Sequence, residues 1–517
     1  MNQILPKGAD ALLAGDFATL SDLVRAHAAE RPDHPAVIDA EGVLSYGALD
    51  ARADRVAAAL QRDKAVKAIS IVSYSRNDYV TVYLGALRAG LAVAPLAPSS
   101  LPEQIVAMAQ DADAQHLFLD GDNEQALRAV LADLPPHRIR LDTPQFEQWL
   151  APAGAKPAPA AVTPQMPFNI IYSSGTTGTP KGIVQSHGMR WLHMQRANLY
   201  GYDRDAVTLL STPLYSNTTL VSLFPTMAGG GTAVLMAKFD VVKYLALAQQ
   251  HRVTHTMLVP VQYRRLMAHP DFDRYDLGAF RAKFCTSAPF AAELKADILK
   301  RWPGKLTEYY GMTEGGGTCI LVADEFPDKL HTVGRPAEGH DIRLIGEDGK
   351  PVQPGEIGEI VGHSGAIMTH YHKQPGKTAE AEWFDDTGKR FIRTGDMGRF
   401  DADGFLQLMD RRKDMIISGG FNVYPSDLEA ILKQHEAVFD VAVVGVASEV
   451  WGETPVAFVV LKPGSTATAA DLLVWANGKL GKMQRISGIE FRDALPRSAI
   501  GKVLKRELRD EYAATHR

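Results

Sequence analysis

The sequence is sparing in several respects, and each shortage excludes something. Its 517 residues hold two cysteines, Cys285 and Cys319, far apart and in no C-x-x-C pair. A disulfide framework is therefore excluded, and a reducing compartment fits. Basic residues do not outnumber acidic ones: 55 Lys and Arg against 60 Asp and Glu leave a net charge of −5, with no basic run to attract nucleic acid. No stretch approaches the ~20 apolar residues of a membrane-spanning helix. The N-terminus, MNQILPKGADALLAGDF, has one early lysine and a weak apolar stretch broken by Gly and Asp, so it does not read as a signal peptide. Internal repeats at solenoid periods are missing. His370 and His372 lack a zinc-like spacing with cysteine. The expectation is a soluble cytoplasmic protein, too long for one ordinary core.

What is present alternates. AISIVSYS reads as a buried strand, DYVTVYLGALRAG as a helix and LAVAPL as another strand; after a Pro/Ala-rich segment come AVTLLST, GGGTAVLM, VTHTMLVP and AKFCTSA. Strands alternating with helical patterns predict an α/β fold with parallel sheet. The segment at 151–167 reads as an exposed linker or loop. From about 333 to 411, short strands and turns predict a small β-rich subdomain. Residues 412–517 predict a small α+β C-terminal domain of plausible independent size, following a large N-terminal domain at 1–411.

One loop stands out. IYSSGTTGTPKG follows the apolar run FNII and packs hydroxyls, glycines and one lysine into a single turn. Glycine lets backbone N–H groups turn inward, hydroxyls add donors and lysine adds charge, which suits phosphate oxygens. The ending Pro180-Lys181-Gly182 is not that of a Walker loop. A flexible surface turn is the plainer alternative.

Downstream lie YYGMTE (309–314), RTGD (393–396), DRRKDMIISGG (410–420) and PRSAIGK (496–502). Together with the opening loop, in this order, they resemble the adenylate-forming superfamily of acyl-CoA synthetases, amino-acid adenylation domains and beetle luciferases. The resemblance spans essentially the whole chain and is closest to aryl-CoA ligases of the 4-coumarate and benzoate type. It implies an AMP-forming acid–thiol ligase that uses ATP, Mg²⁺ and coenzyme A.

The same resemblance implies roles. Ser173, Ser174, Gly175, Thr176, Thr177, Gly178 and Lys181 would hold the β- and γ-phosphates. Ser287, Ala288, Pro289, Tyr309, Tyr310, Gly311 and Met312 would surround the nucleotide, with Tyr310 along the adenine. Thr313 would bond the α-phosphate and Glu314 would ligate Mg²⁺, a cation that prefers oxygen ligands. Asp396, helped by Arg411, would take the ribose hydroxyls. Lys502 would bridge the substrate carboxylate and the α-phosphate. Lys413 occupies the family's hinge position, where the C-terminal domain rotates between half-reactions. Gly419, Gly420 and Phe421 would approach the pantetheine arm, and Trp451 and Arg485 the rest of CoA. Core packing for Trp451 and a plain surface charge for Arg485 are equally open readings.

For the acid, Tyr215, Asn217, Thr218, Gly315 and Gly316 would line the pocket, joined by Ser287 and Ala288. The stretch PLYSNTTL carries no aspartate to pair with a substrate ammonium, which argues against an α-amino acid. Ser216 stands where many such ligases have histidine. Gly315, Gly316 and Gly317 read equally as a roomy slot or as a turn needed for its backbone. An aromatic or hydroxycinnamic acid is the first expectation and a medium- or long-chain fatty acid the second; luciferase-like oxygenation or loading of a carrier protein stands as the alternative of another class. PRSAIGK also resembles a pattern modified by lysine acetyltransferases, making Lys502 a candidate target.

Overall fold

The computed structural model describes residues 8–173, 181–411, 414–418, 421–448, 451–481, 484–498 and 501–516. Contacts divide the chain into two units. The first comprises Met1–His331, Pro336–Asp341 and Gly362–Ile392; the second comprises Thr332–Arg335, Ile342–Val361 and Arg393–Arg517. The fold is mixed α/β, as the alternation predicts.

Two sheets organise the first unit. In one, the spatial order runs Cys319–Val322, Lys305–Tyr310, Ala282–Cys285, His255–Leu258, Val207–Leu210, Thr232–Leu235, Pro35–Asp39 and Gly42–Ser45. The other runs His370–Tyr371, Lys181–Ser186, Pro167–Ser173, Ala92–Pro95, Ala68–Val72, Ala114–Leu119 and His137–Arg140. Central pairings are parallel and antiparallel strands lie at the edges. Ala68–Val72 is buried along its whole length, as expected of a strand covered on both faces. Helix Asn77–Arg88 is buried from Tyr79 onward, and its Tyr79, Val80 and Tyr83 share a core with Phe168 and Phe224.

The 151–167 segment is tied to helix Tyr46–Leu60. Lys156 Nζ donates to Asp54 Oδ2 at 2.6 Å, and Gln61 exchanges bonds of 2.8 and 3.0 Å with the backbone of Ala158. Arg55 Nε donates to the Ala151 carbonyl at 2.7 Å.

In the second unit, Val438–Ser448 and Gly452–Leu461 form a long antiparallel pair, and Gly488–Phe491 runs parallel to the latter. Helices Pro425–Lys433 and Ala469–Asn477 close a core containing Leu428, Leu432, Val441, Val443, Val459 and Leu472. No helix among the described residues is long and apolar enough to cross a membrane.

Candidate active site

The phosphate-loop candidate lies between two neighbouring strands of the second sheet. Strand Pro167–Ser173 pairs antiparallel with Lys181–Ser186, and the register places Ser173 opposite Lys181. Ser174, Gly175, Thr176, Thr177 and Gly178 lie outside the described residues, as does the Ser173 side chain. Lys181, Ile183 and Gln185 share one face of their strand, because side chains alternate with period two.

That face gathers the YYGMTE segment. Gln185 Nε2 donates to the Thr313 carbonyl at 2.6 Å. The short strand His370–Tyr371 pairs with Lys181–Ser186, setting Tyr371 opposite Ile183. From there the Tyr371 hydroxyl donates to Glu314 Oε1 at 2.7 Å, while Lys181 Nζ lies 5.1 Å from the Tyr371 ring centroid, in cation–π range. Burial raises the Tyr371 phenol well above its ordinary range, and the Glu314 charge and hydrogen bond add to the shift. The hydroxyl therefore stays protonated and donates. The Met368 N–H holds the Glu314 carbonyl at 2.7 Å. Glu314 Oε1 is thus fixed, and Oε2 has no hydrogen-bond partner among the described residues. A half-held carboxylate of this kind suits a hard divalent cation.

Nothing in the motifs singled out Tyr371 or Gln185. A signal did exist for Gln185, a polar residue directly after the apolar Ile183 and Val184, where a buried amide must find partners. Its Oε1 accepts from Asn169 Nδ2 at 3.0 Å and from Arg190 Nη2. Arg190, fully buried, also donates to Asn169 Oδ1 at 3.1 Å and Asn217 Oδ1 at 2.9 Å. Burial lowers its pKa to about 10, so it remains charged at neutral pH.

Around the expected nucleotide, Tyr309 and Tyr310 end strand Lys305–Tyr310, with Gly311 and Met312 just beyond it. Tyr309 is half-buried and stacks on Phe284, centroids 5.6 Å apart. Ser287, Ala288 and Pro289 follow strand Ala282–Cys285, and Ser287 takes a left-handed φ of 82°. Its hydroxyl lies 2.7 Å from that of Thr218. Ser216 caps helix Asn217–Ala228, its Oγ accepting from Thr218 N at 3.3 Å; a hydroxyl there satisfies one of the helix's orphan N–H groups. Tyr215 is half-buried, and burial raises its phenol despite a hydrogen bond with Ser99.

Gly315 and Gly316 have a backbone reason to be glycine. Both are left-handed, with φ of 75° and 88°. A Cβ on Gly315 would stand 1.9 Å from the Ala366 carbonyl oxygen, and one on Gly316 would stand 2.8 Å from that of Gly362. The turn reading therefore accounts for these two positions without a slot, and their contact with an acyl group is kept as a proposal.

In the second unit, Asp396 and Arg411 are cross-strand partners. The Asp396 N–H donates to Thr394 Oγ1 at 3.0 Å, and that hydroxyl donates to the Ile360 carbonyl at 2.9 Å. The Arg411 side chain, Lys413, Gly419, Gly420 and the Phe421 side chain lie outside the described residues; the Phe421 backbone pairs with Ser418. Trp451 is 42% exposed, which is not a core position, and Arg485 is exposed. Lys502 closes a tight turn: the Ser498 N–H donates to the Lys502 carbonyl at 2.8 Å, and the Lys502 N–H donates to Ser498 Oγ at 3.2 Å.

The chain is similar to known proteins along most of its length. The AMP-binding enzyme family matches residues 24–372, and the AMP-binding enzyme C-terminal domain matches residues 427–502. Indoleacetate–CoA ligase of Aromatoleum aromaticum is 32% identical, with 96% of this chain and 98% of the relative covered. Feruloyl-CoA synthase of an Amycolatopsis species is 35% identical over 70% of this chain and 74% of its own. Among solved structures, ATP-bound MatB from Rhodopseudomonas palustris matches with a TM-score of 0.87 at 28% identity, covering 97% of this chain and all of that one.

Proposed function

This chain belongs to the AMP-binding enzyme family, and from that premise we propose that it is an ATP-dependent carboxylic acid:CoA ligase acting on an aromatic or hydroxycinnamic acid. In the first step a carboxylate oxygen attacks the α-phosphorus of ATP. An acyl–phosphate bond forms, the α–β anhydride breaks and pyrophosphate leaves. In the second step the CoA thiol attacks the acyl carbon, AMP leaves and the thiol proton passes to solvent.

The first step brings two anions together, so catalysis is mainly positioning and charge neutralisation. The observation that carries the proposal is the joint at Tyr371, whose hydroxyl holds the carboxylate of Glu314 while its ring lies 5.1 Å from Lys181, at the end of the hydroxyl- and glycine-rich stretch. Lys181 and the loop would hold the departing phosphates, Thr313 the α-phosphate, Asp396 and Arg411 the ribose, and Lys502 the attacking carboxylate. Glu314 would hold Mg²⁺, which when bound neutralises charge on the polyphosphate. The names of the indoleacetate and feruloyl relatives support an aromatic acid. Acetylation of Lys502 by an acetyltransferase would remove its charge and is expected to stop adenylate formation more than thioester formation.

The test is release of AMP and pyrophosphate with benzoates, hydroxycinnamates and C2 to C16 fatty acids, each with and without CoA. CoA-dependent turnover of aromatic acids is the expected result. Turnover confined to fatty acids corrects the substrate class. Adenylate formation indifferent to CoA on every acid refutes the ligase reading and points to a carrier protein or oxygen as second substrate.

A further inference from the structure

Helix His187–Gln195 and its cap Arg196 carry Met189, Leu192, His193 and Arg196 at i, i+3, i+4 and i+7, a single stripe. The stripe runs beside the glycine segment. Met189 Cε is 3.0 Å from where a Gly315 Cβ would stand, and Leu192 Cδ1 is 2.8 Å from that of Gly365. At its end, Arg196 Nη1 lies 2.8 Å from His340 Nε2. The other ring nitrogen, His340 Nδ1, accepts the N–H of Thr318 at 2.9 Å, just past Gly317.

Two donors therefore converge on one imidazole. Burial, reinforced by the charges of Arg196 and His363, lowers the His340 pKa to about 4, so the ring is neutral at pH 7 and has a single lone pair to offer. Either Thr318 N–H or Arg196 Nη1–H is left facing an N–H. Nearby, His193 Nδ1 and Arg190 Nη1 are both buried with no hydrogen-bond partner among the described residues, and His193 feels the charges of Arg190, Arg196 and His340. No carboxylate among the described residues pairs with Arg190 or Arg196; their hydrogen-bond partners are amide oxygens and the His340 ring, and Arg190 also lies over the rings of Phe168 and Phe224. Native proteins rarely leave such a group of donors short of acceptors. The ring of Tyr200, four residues past Arg196, meets that of Tyr309 edge-on at 5.7 Å.

Resting on the ligase reading, we propose that Arg196 and His340 form the far wall of the acyl site and select carboxylic acids bearing a second oxygen acceptor, phenolic or carboxylate, at the end opposite the reacting carboxylate. The substrate supplies the acceptor that the described residues lack there. A site built to hydrogen-bond a substrate oxygen rejects the analogue without it more strongly than an apolar pocket discriminates by size.

The test compares kcat/KM for CoA-dependent AMP release from cinnamate, 4-hydroxycinnamate and 4-carboxycinnamate, in wild type, Arg196→Met, Arg196→Lys and His340→Gln. At least one substituted acid is expected to exceed cinnamate by about tenfold or more, and the two substituted arms separate a phenol from a second carboxylate. In R196M the ratio should collapse toward unity, with part of it kept in R196K. Equal use of all three acids by wild type, turnover of fatty acids alone, or an equal fall on all three acids in both R196M and H340Q overturns the inference and leaves the ligase reading standing. Absence of AMP release with every acid overturns both.

Discussion

Tyr371 donates to Glu314 and lies within cation–π range of Lys181, so one side chain positions two groups assigned to the polyphosphate and its metal. Tyr371→Phe keeps the ring and deletes only the donor. The carboxylate then loses its orientation at a cost of ~1–2 kcal/mol, about tenfold in an equilibrium. The expected outcome is a higher Mg²⁺ concentration at half-maximal ATP–pyrophosphate exchange, with thermal stability little changed; an unaltered Mg²⁺ dependence would show that the bond does not serve the metal. Gly315 makes a different kind of demand. An alanine there meets the Ala366 carbonyl at 1.9 Å with φ at 75°, so Gly315→Ala should cost ~3 kcal/mol or more through strain and displaced backbone. A lowered denaturant midpoint with unchanged slope is the readout.

Among elements, the 151–167 segment shows how a run that reads as a linker can be strapped down. Its Lys156 reaches Asp54, which is 1% exposed at its side chain and also binds Arg88 and Arg25, each at 2.7 Å. Burial alone would raise the Asp54 pKa, but the hydrogen bond from Lys156 and the charge of Arg88 outweigh it and hold the carboxyl below its ordinary value. A depressed folded pKa contributes stability that is complete above the unfolded value, about 3.9, and is lost as pH falls through the lower folded one. Asp54→Asn should therefore destabilise by ~2 kcal/mol at neutral pH, because Arg88, Arg25 and Lys156 lose a charged acceptor while Arg88 keeps Asp50 at 2.6 Å. The deficit should shrink in acid, as wild type loses the same charge. Chemical denaturation of both proteins from pH 7 down to pH 3 checks the sign; a deficit constant with pH would mean that the charge is not what stabilises.

Over the whole molecule, groups assigned to one reaction are distributed between the two units: Glu314 and Thr313 in the first, Asp396 and Lys502 in the second. Lys502→Ala is expected to reduce acid-dependent pyrophosphate exchange by about a hundredfold or more. Thioester formation from a supplied acyl-adenylate should be affected far less, and an equal loss in both assays would remove the role assigned to Lys502. Much of this protein was legible before any fold was known. The alternation of buried strands with helical patterns determined an α/β fold. Five motifs in order carried the resemblance to the family, which the matches along the chain bear out, because each motif is a run of residues adjacent in sequence. Tertiary structure alone decided the contacts between distant segments. Tyr371 lies 57 residues from Glu314, and Gln185 lies 128 residues from Thr313. No periodicity encodes such pairs, since they exist only once strand register brings the two chain segments together. The same holds for the crowding of Arg196, His340 and Thr318, where two donors are left to share one lone pair because three separate segments pack at one place.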